Sequence, residues 1–186
     1  FLHPSTDSTT INKTTTFTYQ ASLEKDDKRY NYDYDLLRLS LEKTKEKYGA
    51  FKMRPLRANY KRIESLALES KIENIIFKKS VSINRLNKFG YIDFPVDLGI
   101  VGYRVAFISK DNMKKISKVK NLNDLRKLSI LQGNGWLDNV ILEANGFEVV
   151  TANKYSYLFR MIANNRADLL MRGTNELYLE WSTYKQ

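Results

Sequence analysis

The chain has 186 residues, 42% hydrophobic and 12% aromatic, enough for one domain or two small lobes and too apolar for intrinsic disorder away from its ends. Lysine and arginine outnumber aspartate and glutamate by 31 to 21, a net charge of +10 compatible with nucleic acid, an anionic membrane surface or an acidic small ligand. The absence of cysteine excludes disulfides, thiolate catalysis and cysteine-ligated metals, and the single histidine, His3, lies in a polar head unsuited to a metal site or a catalytic triad.

Residues 1–16 read as a disordered leader, a tag remnant or what remains after removal of a signal peptide. Phe17 to Ala21 is a candidate first strand, followed by a charged loop from Glu24 to Arg29. Asp33 is expected to cap a helix carrying Tyr34, Leu37, Leu41 and Tyr48 at helical spacing, stopped by Gly49. Phe51 to Leu56 alternates as a strand, Asn59 caps a helix with Tyr60, Ile63, Leu66 and Ala67, and Ile72 to Phe77 reads as the next strand. Such a βαβαβ half favours parallel strands with helical cover.

A second half begins after Pro95. Tyr103 to Ile108 reads as a strand, Leu122 to Leu128 as a short helix introduced by Asn121 or Asn123, and Leu128 to Gln132 as a buried strand. Trp136 to Asn145 is a helix closed by Gly146, and Phe147 to Thr151 is a strand. Tyr155, Leu158, Phe159 and Ile162 mark a helix face, and Asp168 to Met171 is the last strand. The longest apolar run, Leu98 to Ile108, is broken by Gly99, Gly102 and Arg104, so no membrane span is expected. Two α/β units joined near Asp97 to Gly102 place a cleft between them, the default position for a ligand.

The strand-turn-helix at Leu131-Gln132-Gly133-Asn134-Gly135-Trp136 opens either an anion cradle of backbone N–H groups or a plain connector. The basic residues are spread out, with small clusters at Lys78-Lys79, Lys114-Lys115 and Arg126-Lys127 interleaved with acids, the pattern of a solvated basic surface. A nucleic-acid-binding domain is the rival reading, but no organised basic helix or aromatic RNA-binding motif is visible. Paired carboxylates at Asp26-Asp27 and Asp33-Asp35 lie in loop-like or capping positions, which gives an enzyme little to work with.

The ordered series Ser80-Val81-Ser82-Ile83-Asn84-Arg85, Tyr91-Ile92-Asp93-Phe94-Pro95, Gly102-Tyr103-Arg104-Val105, Asn123-Asp124-Leu125, Gln132-Gly133 and Arg166-Ala167-Asp168 resembles the extracytoplasmic solute-binding proteins of family 3, over roughly Phe17 to Glu176. Tyr103-Arg104 and Arg172-Gly173-Thr174-Asn175-Glu176 are similar to a transporter substrate-binding-like branch of that superfamily. The resemblance implies an α/β, two-lobed type II periplasmic-binding-protein-like fold, each lobe a mixed, mostly parallel sheet flanked by helices. It divides the chain into a leader (1–16), lobe 1 (17–100), lobe 2 (101–175) and the start of a return segment towards lobe 1 (176–186). The family's further segment that completes the first lobe is expected to be missing from these residues.

The resemblance also implies roles. Arg85, with Ser80 and Ser82, matches the segment that clamps a ligand carboxylate, a task suited to a bidentate guanidinium. Gln132, Gly133 and Asn134 match the second-lobe turn, with Trp136 either stacking on the ligand or joining the core. Family members that bind amino acids place an acid about five positions beyond the Asp168 equivalent to hold the ligand ammonium; here Arg172 and Gly173 stand there, with Glu176 one turn further on as a substitute carboxylate. Tyr103 and Arg104 line the crossover between lobes. With Arg85, Arg104 and Arg172 all facing inward the cleft would be strongly positive, so an anionic or carboxylate-bearing solute is expected. The reading is thus a periplasmic or otherwise extracytoplasmic binding protein that closes by hinge motion, serving an ABC-type transporter or a sensor kinase. It is expected to be monomeric, to bind no nucleic acid, and to have no catalytic residue, metal or cofactor.

Overall fold

The computed structural model describes residues 14–25 and 27–185. The expectations placed on residues 1–13, including His3, and on Asp26 lie outside these. Contact density divides the chain into two units, one running to Leu23 and resuming over Arg29–Lys79, the other comprising Glu24–Lys28 and everything from Ser80 onward.

The first unit is the βαβαβ half read from the sequence: β1 (Thr15–Ala21), α1 (Asn31–Tyr48), β2 (Phe51–Arg57), α2 (Tyr60–Leu68) and β3 (Ile75–Ile76), with sheet order β2-β1-β3 and all pairs parallel. Thr15 and Thr16, assigned to the leader, instead open β1, because they pair with Phe51 and Lys52. Helix α1 starts at Asn31 with Tyr30 at its N-cap, so Asp33 sits in the first turn and pairs with Lys78 at 2.8 Å rather than capping. Asn59 does cap α2, its side chain accepting from Arg62 N at 3.0 Å, and Ile63 and Leu66 are the buried face. β3 is shorter than expected because Asn74 has a left-handed φ of 51°. Its carbonyl is taken by Thr18 N at 2.9 Å before the ladder begins.

The second unit contains α3 (Ile83–Leu86), β4 (Arg104–Phe107), α4 (Met113–Ile116), α5 (Leu122–Leu125), β5 (Ser129–Gly133), α6 (Leu137–Ala144), β6 (Glu148–Ala152), α7 (Tyr155–Ala163), β7 (Leu169–Gly173) and α8 (Leu177–Tyr184). Its sheet has the order β4-β7-β5-β6, with β4 antiparallel to β7 and the other pairs parallel. The strands β5 and β7 are apolar on both faces, as a helix-covered sheet requires. Leu131 and Leu170 point into one cluster with Leu158, Phe159 and Ile162 of α7; Ile130 and Leu169 point into another with Leu125, Leu142 and Phe147.

The segment expected to start a return towards the first lobe forms α8, and that helix packs on the second unit. Tyr184 stacks on Phe159 with ring centroids 4.0 Å apart, Trp181 lies parallel to Phe107 at 6.4 Å, and Glu180 is buried. Glu24, in the short Glu24–Lys28 stretch that belongs to the second unit, accepts from the N–H groups of Tyr155 (2.7 Å) and Ser156 (3.2 Å). It thereby caps α7, whose own N-cap residue, Lys154, provides no side-chain bond.

Candidate functional site

In the second sheet the chain leaves β5 for β6 on one side and then returns through α7 to β7 on the other. Crevices at such reversals, outside the carboxyl ends of parallel strands, are where open α/β sheets bind ligands. Here those ends are Gln132-Gly133-Asn134 and Arg172-Gly173-Thr174.

Both glycines are buried and crowded. A Cβ on Gly133 would run into the indole of Trp136, and one on Gly173 would lie 2.6 Å from Asn175 Oδ1 and 3.1 Å from Glu176 Oε2. Gly135 has φ 79°, which turns the chain sharply into α6. The turn binds its own amides: Asn134 N donates to Ala152 O (2.9 Å) and Trp136 N to Gly133 O (3.2 Å). Asn139 Nδ2 also donates to Gly133 O (3.1 Å), and Asn134 Nδ2 to Asn153 Oδ1 (2.7 Å). The anion cradle expected from the glycine pattern is therefore reduced by two donors already used within the fold.

Arg172 is 3% exposed. Its Nε donates to Glu180 Oε1 at 2.8 Å, and one terminal nitrogen donates to Glu176 Oε1 at 2.5 Å and to the Tyr155 hydroxyl at 3.5 Å. The Tyr155 hydroxyl donates in turn to Glu180 Oε1. Above this group the Trp136 ring lies 4.6 Å from the guanidinium carbon, a cation–π contact. Glu176 completes the loop by accepting from Gly173 N at 3.0 Å. Burial opposes the charge on Arg172, but Tyr155, Glu176 and Glu180 outweigh it and hold the guanidinium more firmly protonated than in water. Burial pushes the Glu180 carboxyl above the usual range, with Arg172 and Tyr155 pulling the other way.

Arg172 is thus a neutralised structural cation rather than an attractor for an anion. Arg104 is spent similarly, one nitrogen reaching both oxygens of Asp138, in the first turn of α6, at 3.0 and 3.1 Å. The register pairs Val105 with Arg172, so Arg104 and Arg172 leave the sheet on opposite faces. The strongly positive wall expected from three arginines does not form from these two.

The remaining expected residues fall in separate places. Tyr103 is 75% exposed, and its carbonyl accepts from Thr174 N at 3.1 Å, which ties the crossover to the end of β7. Ser80, Ser82 and Arg85 form a local group around α3, where Arg85 donates from its backbone N to Ser82 O (2.9 Å) and from its guanidinium to Ser80 O (3.3 Å). Gln132 is buried beside Ile130, and its Oε1 has no donor. Asp168 anchors the start of β7, accepting from Lys115 Nζ (2.6 Å) and from Ser129 N (2.9 Å). Glu180, Tyr155 and Asp138 carry the site's electrostatics; the sequence marked Tyr155 only as part of a helix face and gave the two acids no role. The one available signal was the four-residue spacing of Arg172, Glu176 and Glu180.

Chemically the carboxyl-end edge offers exposed polar groups at Asn134, Thr174 and Asn175 and a partly exposed carboxylate at Glu176, backed by a rigid ion-paired base. Among the described residues no group of three or more histidine, cysteine, aspartate or glutamate side chains is placed to hold a metal ion, and no helix is long and apolar enough to cross a membrane.

No protein-family model matches the chain, and no curated protein does. Solved structures do. The substrate-binding protein of an amino acid ABC transporter superposes with a TM-score of 0.66 at 13% identity, over 91% of this chain and 75% of that one. A mutant of ArgBP from T. maritima gives 0.63 at 17% identity, over 90% and 72%. A structure from work on glutathione import through GshT and the cystine ABC importer TcyBC of Streptococcus mutans gives 0.66 at 14% identity, over 91% and 72%. The fold is accordingly the α/β architecture of the two-lobed periplasmic binding proteins, as the motif order implied.

Proposed function

We propose that this chain is an extracytoplasmic solute-binding protein that captures a small polar solute of amino-acid type, without covalent chemistry, and hands it to an ABC-type importer. The observation that carries the reading is the edge formed by the carboxyl ends of β5 and β7. At this topological switch point the strands end in two buried glycines closed over by Trp136, Asn175 and Glu176, with Asn134 exposed and Glu176 partly exposed at the rim. The likeness to substrate-binding proteins of amino acid transporters supports the same class. With Arg104 and Arg172 both paired to carboxylates, the reading requires no net negative charge on the solute. Arg85, Ser80 and Ser82 are proposed as the groups that take the solute's carboxylate, and Asn134, Trp136 and Glu176 as those that face its remaining polar atoms.

The test is mass spectrometry of small molecules released when the purified protein is denatured, followed by thermal unfolding against a panel of zwitterionic, cationic and anionic amino-acid-like compounds. A true ligand at a hundredfold excess over its Kd stabilises by about 2.7 kcal/mol. The Glu176→Gln and Asn134→Ala variants should respond less. A protein that carries nothing and shifts with no member of the panel overturns the proposal.

A further inference from the structure

We propose that the face of the second unit built from α4, α5 and the turns around them is a docking surface for an anionic lipid bilayer. From Lys110 to Lys127 there are seven basic and two acidic residues, an excess of five against +10 for the whole chain. The segment is two-sided. Ile116, Val119 and Leu125 pack inward on the cluster of Leu128, Ile130 and Leu169, which fixes its backbone to the sheet. Outward, Lys110, Lys114, Lys118 and Lys120 are exposed, and among the described residues no carboxylate pairs with them. Two apolar side chains, Met113 and Leu122, stand among them at 60% and 52% exposure.

Like charges gathered along one segment repel one another and raise the local concentration of anions, so an anionic surface that displaces the solvating counterions is favoured there. The four lysines are spread over Lys110 to Lys120, along α4 and the turns on either side of it, a distribution that suits an extended negative surface better than one small anion. Met113 and Leu122 suit the boundary between headgroups and acyl chains, with neighbouring lysines extended to the headgroups. The absence of any aromatic residue between Lys110 and Lys127 removes the stacking platform that single-stranded nucleic acid uses.

The experiment is flotation of the full chain with phosphatidylcholine vesicles and with vesicles in which part of that lipid is replaced by phosphatidylglycerol, at low and physiological salt. Binding is expected only to the anionic vesicles and should weaken as salt rises. At roughly fivefold per lysine, a K114Q/K118Q/K120Q variant should lose about a hundredfold in partition. A control with the same charge change elsewhere, K43Q/K52Q/K61Q, should lose far less. A Met113→Ser, Leu122→Ser variant should bind more weakly with unchanged salt dependence. Equal loss in the control, equal binding to neutral vesicles, or tighter binding to DNA than to anionic vesicles overturns the proposal. Circular dichroism of each variant separates loss of binding from loss of fold.

Discussion

Replacing Arg172 with leucine is the most informative single perturbation. Among the described residues the guanidinium is the only cation bonded to Glu180, which is 3% exposed and whose Oε2 already has no partner. In Arg172→Leu the carboxylate keeps only the Tyr155 hydroxyl. Stranding one member of a buried pair costs about 3–5 kcal/mol. The lost contact with Trp136 adds about 0.5–2 kcal/mol. Glu176, about a quarter exposed, recovers water and contributes little. Because burial already raises Glu180, loss of Arg172 raises it further. A carboxyl whose folded pKa lies above its unfolded value contributes stability below the unfolded value, about 4.3, that disappears as pH rises through the folded one. The defect should therefore be small in acid and grow towards neutral pH. Both tryptophans, Trp136 and Trp181, lie in the second unit, so their fluorescence in urea titrations follows the affected unit alone. An Arg172→Leu, Glu180→Leu double variant should recover most of the loss, since apolar replacement of a whole buried pair is often neutral or stabilising. A single variant within about 1 kcal/mol of the parent at neutral pH, or a double variant no more stable than the single, would refute the account.

Gly133→Ala should displace the indole of Trp136 and cost about 1–3 kcal/mol, read as a shifted tryptophan emission together with a lower urea midpoint. Although burial works against it, the Asp168 carboxyl is held below the usual range by Lys115 and Ser129. It therefore contributes stability above its unfolded pKa of about 3.9 that is lost as pH falls. Asp168→Asn should cost about 1–2 kcal/mol at neutral pH and progressively less as pH falls below the unfolded value and through the lowered folded one, compared by urea midpoints at neutral and acid pH. Glu24→Gln should weaken the distant cap of α7 by about 0.5–1 kcal/mol, detected as faster hydrogen exchange at the amides of Tyr155 and Ser156.

The alternation of strands and helices was legible because it rests on local periodicity. Asn59 caps α2 as expected, Asn121 rather than Asn123 caps α5, and β4 to β7 fall within a residue or two of their expected spans. α8 was not legible. Its residues Leu177, Tyr178, Leu179 and Trp181 are mostly exposed, so no apolar stripe marks it, and it is placed by the buried pair from Glu180 and by Tyr184 on Phe159. The cap on α7 was equally invisible, because Glu24 precedes it by 131 residues.

The charge of the candidate site was misread for a reason that composition cannot supply. Arg104 and Arg172 are both strand residues near the candidate site, and a count of cations there suggests a positive wall. Whether two such side chains cooperate depends on strand register, since successive residues point to opposite faces. The β4–β7 ladder pairs Arg104 with Gly173 and Val105 with Arg172, which sends one guanidinium to Asp138 on α6 and the other to Glu180 on α8. A slip of one residue would pair Arg104 with Arg172, bring like charges together on one face and strand both acids. The carboxylates on α6 and α8 thus select the observed register as well as neutralising the arginines. The same two pairs that stabilise the sheet take both arginines of β4 and β7 into ion pairs and leave Asn134, Thr174 and Asn175 as the exposed polar groups of that edge.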